Sequence, residues 1–148
     1  MSTIREQIIE AVLTVLNTST PPGVPACTRL KMEPMSASDL PAMTIFPMRE
    51  EVQPAKGGRF APFVERILTV KIVMEAAGSD TTTADQAVDP MAAWISQLGG
   101  STLGGVALDT EEGQSEWLYQ EGDFPYAALA TELMIHYRTA KANASSVN

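Results

Sequence analysis

Histidine and cysteine are nearly missing from this chain, and through its second half so is every lysine and arginine. Only His136 and Cys27 represent the two residue types that most often hold transition metals or carry nucleophilic chemistry. A single cysteine excludes an internal disulfide and a cysteine-based metal cluster. It reads instead as a small buried hydrophobe. No run of the sequence reaches the roughly 18 apolar residues that a membrane-spanning helix needs. The apolar residues of "TIREQIIEAVLTVL" are interrupted by Arg5, Glu6 and Glu10, which does not suit a signal peptide. The expectation is a soluble protein of a reducing compartment with no membrane partner.

The missing cations make the charge regional. From Ile72 to Tyr137 there are eleven acidic residues and no Lys or Arg, whereas residues 1–71 hold eight basic and seven acidic groups. The whole chain carries −8. Stable binding to duplex DNA draws on many Lys and Arg contacts to phosphates, so a general nucleic-acid binder is excluded. With 148 residues, 45% of them hydrophobic, the chain can bury one core, and one domain is expected. Residues 1–140 are read as that domain and residues 141–148, "KANASSVN", as a disordered tail.

Periodicity supplies the elements. Thr3 followed by Glu6 fits a capping box, and Ile4, Ile8, Val12 and Leu16 recur at helical spacing, widened by Ile9, Leu13 and Val15. "NTSTPPGVP" stops that helix near Asn17. "TRLKME" (Thr28 to Glu33), "PAMTIFPM" (Pro41 to Met48) and "FVERILTVKIVMEA" (Phe63 to Ala76) read as strands. In the last, Val64, Leu68, Val70, Ile72 and Met74 share one face, while the other mixes charged and apolar residues. The intervening "REEVQPAKGGRFAP" (Arg49 to Pro62) reads as a projecting hairpin loop, disordered in the isolated chain. A second helix spans about Thr83 to Leu98, with Ala87, Met91, Trp94, Ile95 and Leu98 on one side. "VDP" predicts that it kinks or restarts, Asp89 capping and Pro90 at the first helical position. Strands over Val106–Glu111, Ser115–Glu121 and Tyr126–Thr139 complete the order α, β, β, β, α, β, β, β. The predicted fold class is α+β: a mixed, mainly antiparallel sheet covered on one face by two helices.

A search for chemistry returns little. His136 has no Ser or Cys motif beside it and reads as a surface or interface residue near Glu132 and Arg138. Glu111 with Glu112, or Glu121 with Asp123, offers oxygen ligands but not the spacing of a calcium loop. "GGSTLGG" lacks the Gly-Lys-Ser/Thr ending of a phosphate loop and follows a helix. No catalytic residue, cofactor or resident metal is expected. Most of the eight methionines read as core filling, with interface contact as the sharper alternative.

The order of segments nevertheless resembles a family. The amphipathic N-terminal helix, "TRLKMEPMSASDLPAMTIFPMREE", the charged loop and "RILTVKIVMEAAG" look like the tail terminator proteins of long-tailed bacteriophages, the lambda-like minor tail or tail-completion family. "AVDPMAAWISQL" is similar to the family's second helix, and "ALATELMIHYRT" to its closing strand. The resemblance runs over about residues 4–139. It implies a structural virion protein, not an enzyme, that assembles in the host cytoplasm as a hexameric ring. Such a ring caps the head-proximal end of the tail tube, ends tube polymerisation and meets the head-completion or connector protein. DNA passes through it without stable binding. On that reading Glu111, Glu112, Glu116, Glu121 and Asp123 line the channel, where like charge disfavours sticking. Arg29, Lys31, Arg66 and Lys71 are subunit-interface candidates, and Arg49, Glu50, Glu51, Lys56 and Arg59 form a loop that touches the tube. Alternatives are a head-tail connector or tail tube subunit of the same virion, or a small acidic ligand-binding module.

Overall fold

Thr3 opens the first helix, α1 (Ile4–Leu16), its hydroxyl accepting the Glu6 backbone N–H at 3.2 Å. The Glu6 carboxylate engages Arg29 at 2.8 Å. Ile4, Ile8, Ile9, Val12 and Leu16 are all buried, so the broad apolar face read from the sequence is the face that packs. The computed structural model describes residues 3–29, 40–53, 63–120, 126–140 and 143–147. After α1 come β1 (Cys27–Arg29), β2 (Ala42–Val52), β3 (Phe63–Ala77), α2 (Thr81–Ile95), β4 (Asp109–Gln120), β5 (Tyr126–Ala140) and β6 (Asn143–Val147).

The fold is α+β. The strands form one mixed sheet in the order β1-β2-β3-β5-β4, with β6 paired to β5. Only the β1–β2 pairing is parallel. Long β3 and β5 form the centre, in register from Phe63↔Ala140 to Ala77↔Tyr126. Alternate residues of these strands, including Leu68, Val70, Ile72 and Met74 of β3 and Leu129, Leu133, Ile135 and Tyr137 of β5, join one buried cluster with α1 and α2. The residues between them, Glu65, Ile67, Lys71, Val73, Glu132, Met134, His136 and Arg138, belong to the opposite face. They are intermediate in exposure. Among the described residues, therefore, the helices cover one face and no element covers the other.

Three local expectations change. The second helix does not restart at Pro90. Asp80 caps it, accepting the Thr83 N–H at 2.7 Å, and Pro90 lies inside a continuous helix. The carbonyl that a proline at 90 leaves unpaired is that of Gln86, and Gln86 is exposed, so water can take the lost partner's place. Ala84 and Val88, with Met91 and Ile95, make the buried side, whereas Ala87 is exposed. Gly78 lets β3 turn tightly into this helix: a Cβ there would lie 2.5 Å from the Ala84 nitrogen.

The strands expected at Val106–Glu111 and Ser115–Glu121 are one strand. β4 runs through Gly113 with a register shift between Glu112 and Ser115, the two-against-one count of a bulge. Val106–Leu108 precede it as the exit of a 3-10 turn (Leu103–Gly105), held by Leu108 N–H donating to the His136 carbonyl at 2.7 Å. The tail expected to be disordered supplies β6 instead. Because β3 already flanks Thr139 and Ala140 on one side, β6 takes the other side of β5, beyond the point where β4 begins at Asp109↔His136.

Candidate functional site

The two margins of the sheet carry most of what the sequence reading singled out. At the first margin β1 is short and pairs with β2 only from Met43 to Ile45. Cys27 is buried, and burial pushes its thiol up to about 12. That is an inert packing residue, as expected. Its backbone N–H and carbonyl are both taken by the Asn17 side chain: Cys27 N–H donates to Oδ1 at 2.7 Å, and Nδ2 donates to the Cys27 oxygen at 2.9 Å. The amide of Asn17 thus acts as a one-residue strand closing this edge.

Along the same margin, Arg49, Glu50 and Glu51 correct the expected loop. They lie in β2, paired with Thr69, Leu68 and Ile67 after a register shift at Pro47/Arg49. The physical reason is the length of β3, whose first half would otherwise lack a partner on that side; the bulge accommodates Pro47, which has no N–H to give the ladder. Glu50 points into the subunit. Its carboxylate accepts a hydrogen bond from the Tyr137 hydroxyl and lies 3.3 Å from both Arg5 Nε and Arg66 Nη1. Arg66 also donates to Thr139 at 3.2 Å. Burial, and then the bond to Glu50, push the Tyr137 hydroxyl up to about 12. Glu50 and Arg66 are therefore paired within one subunit, and Glu50 lies in a strand and not in the expected loop. Lys56 and Arg59 lie outside the described residues, as do Lys31, Glu121 and Asp123.

Of the other interface candidates, Arg29 is half-buried and paired with Glu6, and Lys71 sits on the uncovered sheet face opposite Glu132. Glu132 is 3.8 Å from Arg49. Arg138 pairs with Glu65 at 4.0 Å and lies 5.7 Å above the Phe63 ring. On the same face, burial raises the Glu75 carboxyl above its ordinary range.

The second margin is β4, and every residue from Glu111 to Tyr119 is exposed. The register sets the facing. Glu112, Ser115, Trp117 and Tyr119 oppose Leu133, Thr131, Leu129 and Ala127 on the helix side, while Glu111, Glu116 and Leu118 oppose Met134, Ala130 and Ala128 on the uncovered side. Glu111 lies 3.3 Å from His136 Nε2, but that buried nitrogen makes no hydrogen bond among the described residues. No described cation lies within ion-pair distance of Glu112 or Glu116. Three of the five channel candidates thus fall on one exposed strand.

Sequence reading missed the apolar part of this strand. Trp117, Leu118 and Tyr119 are 56%, 60% and 49% exposed, although "WLY" looks like core material. The signal available was the acidic residue at every turn of the surrounding sequence, which marks a strand that water reaches from both sides. Among the described residues no group of three or more His, Cys, Asp or Glu could hold a metal ion, and no helix is long and apolar enough to cross a membrane. No family model matches the chain, and no curated protein matches it.

Proposed function

We propose that this chain is a tail-terminator-like virion subunit that closes into a ring, an arrangement that uses its acidic β4 margin and its uncovered sheet face. The observation that carries the reading is β4: a long margin strand whose Glu111, Glu112 and Glu116 are exposed, with no described Lys or Arg in ion-pair contact. A wall of such strands around a hole repels a passing polyanion and does not hold it. The uncovered face, with half-buried Ile67, Val73 and Met134 among Lys71, Glu65 and Glu132, supplies the mixed apolar and charged surface that subunit contacts use. Repetition of one heterologous contact by rotation closes a ring. The ring would cap the tail tube and present a surface to the head-completion protein, without catalysis or a cofactor.

Native mass measured across protein concentration and salt tests this reading. A closed hexamer that leaves duplex DNA unbound at low salt, but retains it after Glu111→Lys and Glu112→Lys together, supports a ring with an acidic hole. Twelve-membered rings or open filaments move the assignment to a connector or tube subunit. A monomer that binds a small molecule overturns it in favour of a ligand-binding module. A monomer without such binding leaves attachment to finished tail tubes as the deciding assay.

A further inference from the structure

The C-terminal half of β4 has a chemistry that the ring does not account for. Margin strands are normally protected by shortness, bulges, prolines or charges, because their free N–H and C=O groups template pairing with another chain. The first half of β4 has such protection: Asp109, Glu111 and Glu112, then the bulge. Ser115 to Tyr119 has only Glu116. Three consecutive large apolar side chains are exposed there, and the two faces differ. Trp117 and Tyr119 stand on the helix side, the latter anchored by its hydroxyl to Asp85 at 3.3 Å. Glu116 and Leu118 stand on the other.

We infer that this half-strand receives an extended segment of a different polypeptide by strand addition, and that the segment alternates apolar residues with lysine or arginine. Main-chain hydrogen bonds give such a complex its affinity, and alternate side chains give its specificity. In the bound strand one face sets apolar residues beside Trp117 and Tyr119. The other sets cations beside Glu116, their aliphatic stems covering Leu118. Strands β1, β2 and β4 of a second copy do not fit. At β1 the backbone of Cys27 is closed by Asn17. The free part of β2 carries Pro47, a bulge and Glu51. Pairing β4 with β4 would gather the carboxylates of two copies, and opposed like charges destabilise a ladder. Charge complementarity therefore selects a cationic partner. This holds whether or not the subunit forms a ring, since it concerns a half-strand distinct from Glu111 and Glu112.

The test uses the full chain and two blocked heptapeptides, one alternating lysine with valine, the other glutamate with valine. Amide chemical shifts of Ser115–Tyr119 are followed by NMR during titration, with β1 amides as the internal control. The expected result is saturable shifts confined to β4, with the lysine peptide binding at least about tenfold tighter than the glutamate peptide. Trp117→Lys and Leu118→Lys should abolish the shifts while leaving the circular dichroism spectrum unchanged, and Glu116→Lys should remove most of the preference. Absence of binding, equal binding of the two peptides, or shifts at β1 in place of β4 overturns the inference. So do β4 shifts that depend on protein concentration alone, which would make a second copy the occupant. Hexamer formation by native mass is unaffected by any of these outcomes, so this inference and the ring reading fail separately.

Discussion

The two margins of this sheet solve the same problem in opposite ways. At the β1–β2 margin, the Asn17 side chain completes the strand at the backbone of Cys27, and contacts of Glu50 tie the outer half of β2 to Tyr137, Arg66 and Arg5. At the β4 margin nothing in the described subunit does this beyond the bulge, and three large apolar residues stay wet. The first margin is tied back by side chains of its own subunit. The second stays open among the described residues. A protein that must join others in one direction needs such an asymmetry, because two open margins of equal quality would also permit uncontrolled sheet extension.

The comparison breaks most visibly at Asn17. Replacing it with alanine leaves a partly buried N–H and a partly buried carbonyl on Cys27 without their partners. Unsatisfied groups of that kind cost about 1–3 kcal/mol each when buried, so about 2–3 kcal/mol in all is expected at this partly exposed site. Calorimetry should show the midpoint falling by about 5–10 °C. Hydrogen exchange should quicken at the Cys27 amide before it does at the β3 centre. If the margin were closed by packing alone, neither change would exceed that of an ordinary surface substitution.

The fate of these margins in sequence reading follows from what each depends on. Residues that obey a period were legible: the faces of α1, β3 and β5, and with them the α+β class and the helix-covered side. The order α, β, β, β, α, β, β, β is also the observed order, but two of its terms are filled differently. Gly113 fell in the gap between two expected strands and is part of a bulge, so the two strands are one; β6 then supplies the eighth element from a polar tail with no apolar period to announce it. Asn17 was read as a helix stop, which it is, but its hold on a strand ten residues later has no periodic signature. Glu50 was read as loop charge because it opens the long charged segment Arg49 to Pro62. The acidic candidates Glu111, Glu112 and Glu116 were legible as a group because charge distribution needs no fold to be counted.

A smaller effect is expected at Tyr137, which pins the outer half of β2 through Glu50. Tyr137→Phe keeps the ring packed but removes one hydrogen bond to a carboxylate that retains Arg66 and Arg5, a loss of about 1–2 kcal/mol at neutral pH. The dependence on pH has a definite sign. The folded protein holds the phenolic proton more tightly than the unfolded chain does, up to about 12 against an ordinary value near 10. Stability from this source is therefore complete below about pH 10 and is lost as pH climbs towards about 12. Urea unfolding across that window should show the wild type losing its advantage over Tyr137→Phe; parallel curves would mean that the hydroxyl's surroundings do not favour its protonated form.

The smallest effect belongs to the margin that looks most apolar. Trp117→Ser and Leu118→Ser remove side chains that are more than half exposed, so the isolated subunit loses little burial, and each change should stay within about 0.5 kcal/mol by urea unfolding. Tyr119→Phe, which deletes only the hydroxyl that meets Asp85 at an exposed position, should be smaller still. This near-neutrality sharpens the contrast with Asn17, a small polar residue whose loss is expected to cost several times more. If Trp117→Ser instead destabilised the isolated chain as strongly as Asn17→Ala, β4 would be held by contacts within the subunit. The open margin would then be part of the fold and no longer a surface available to a partner.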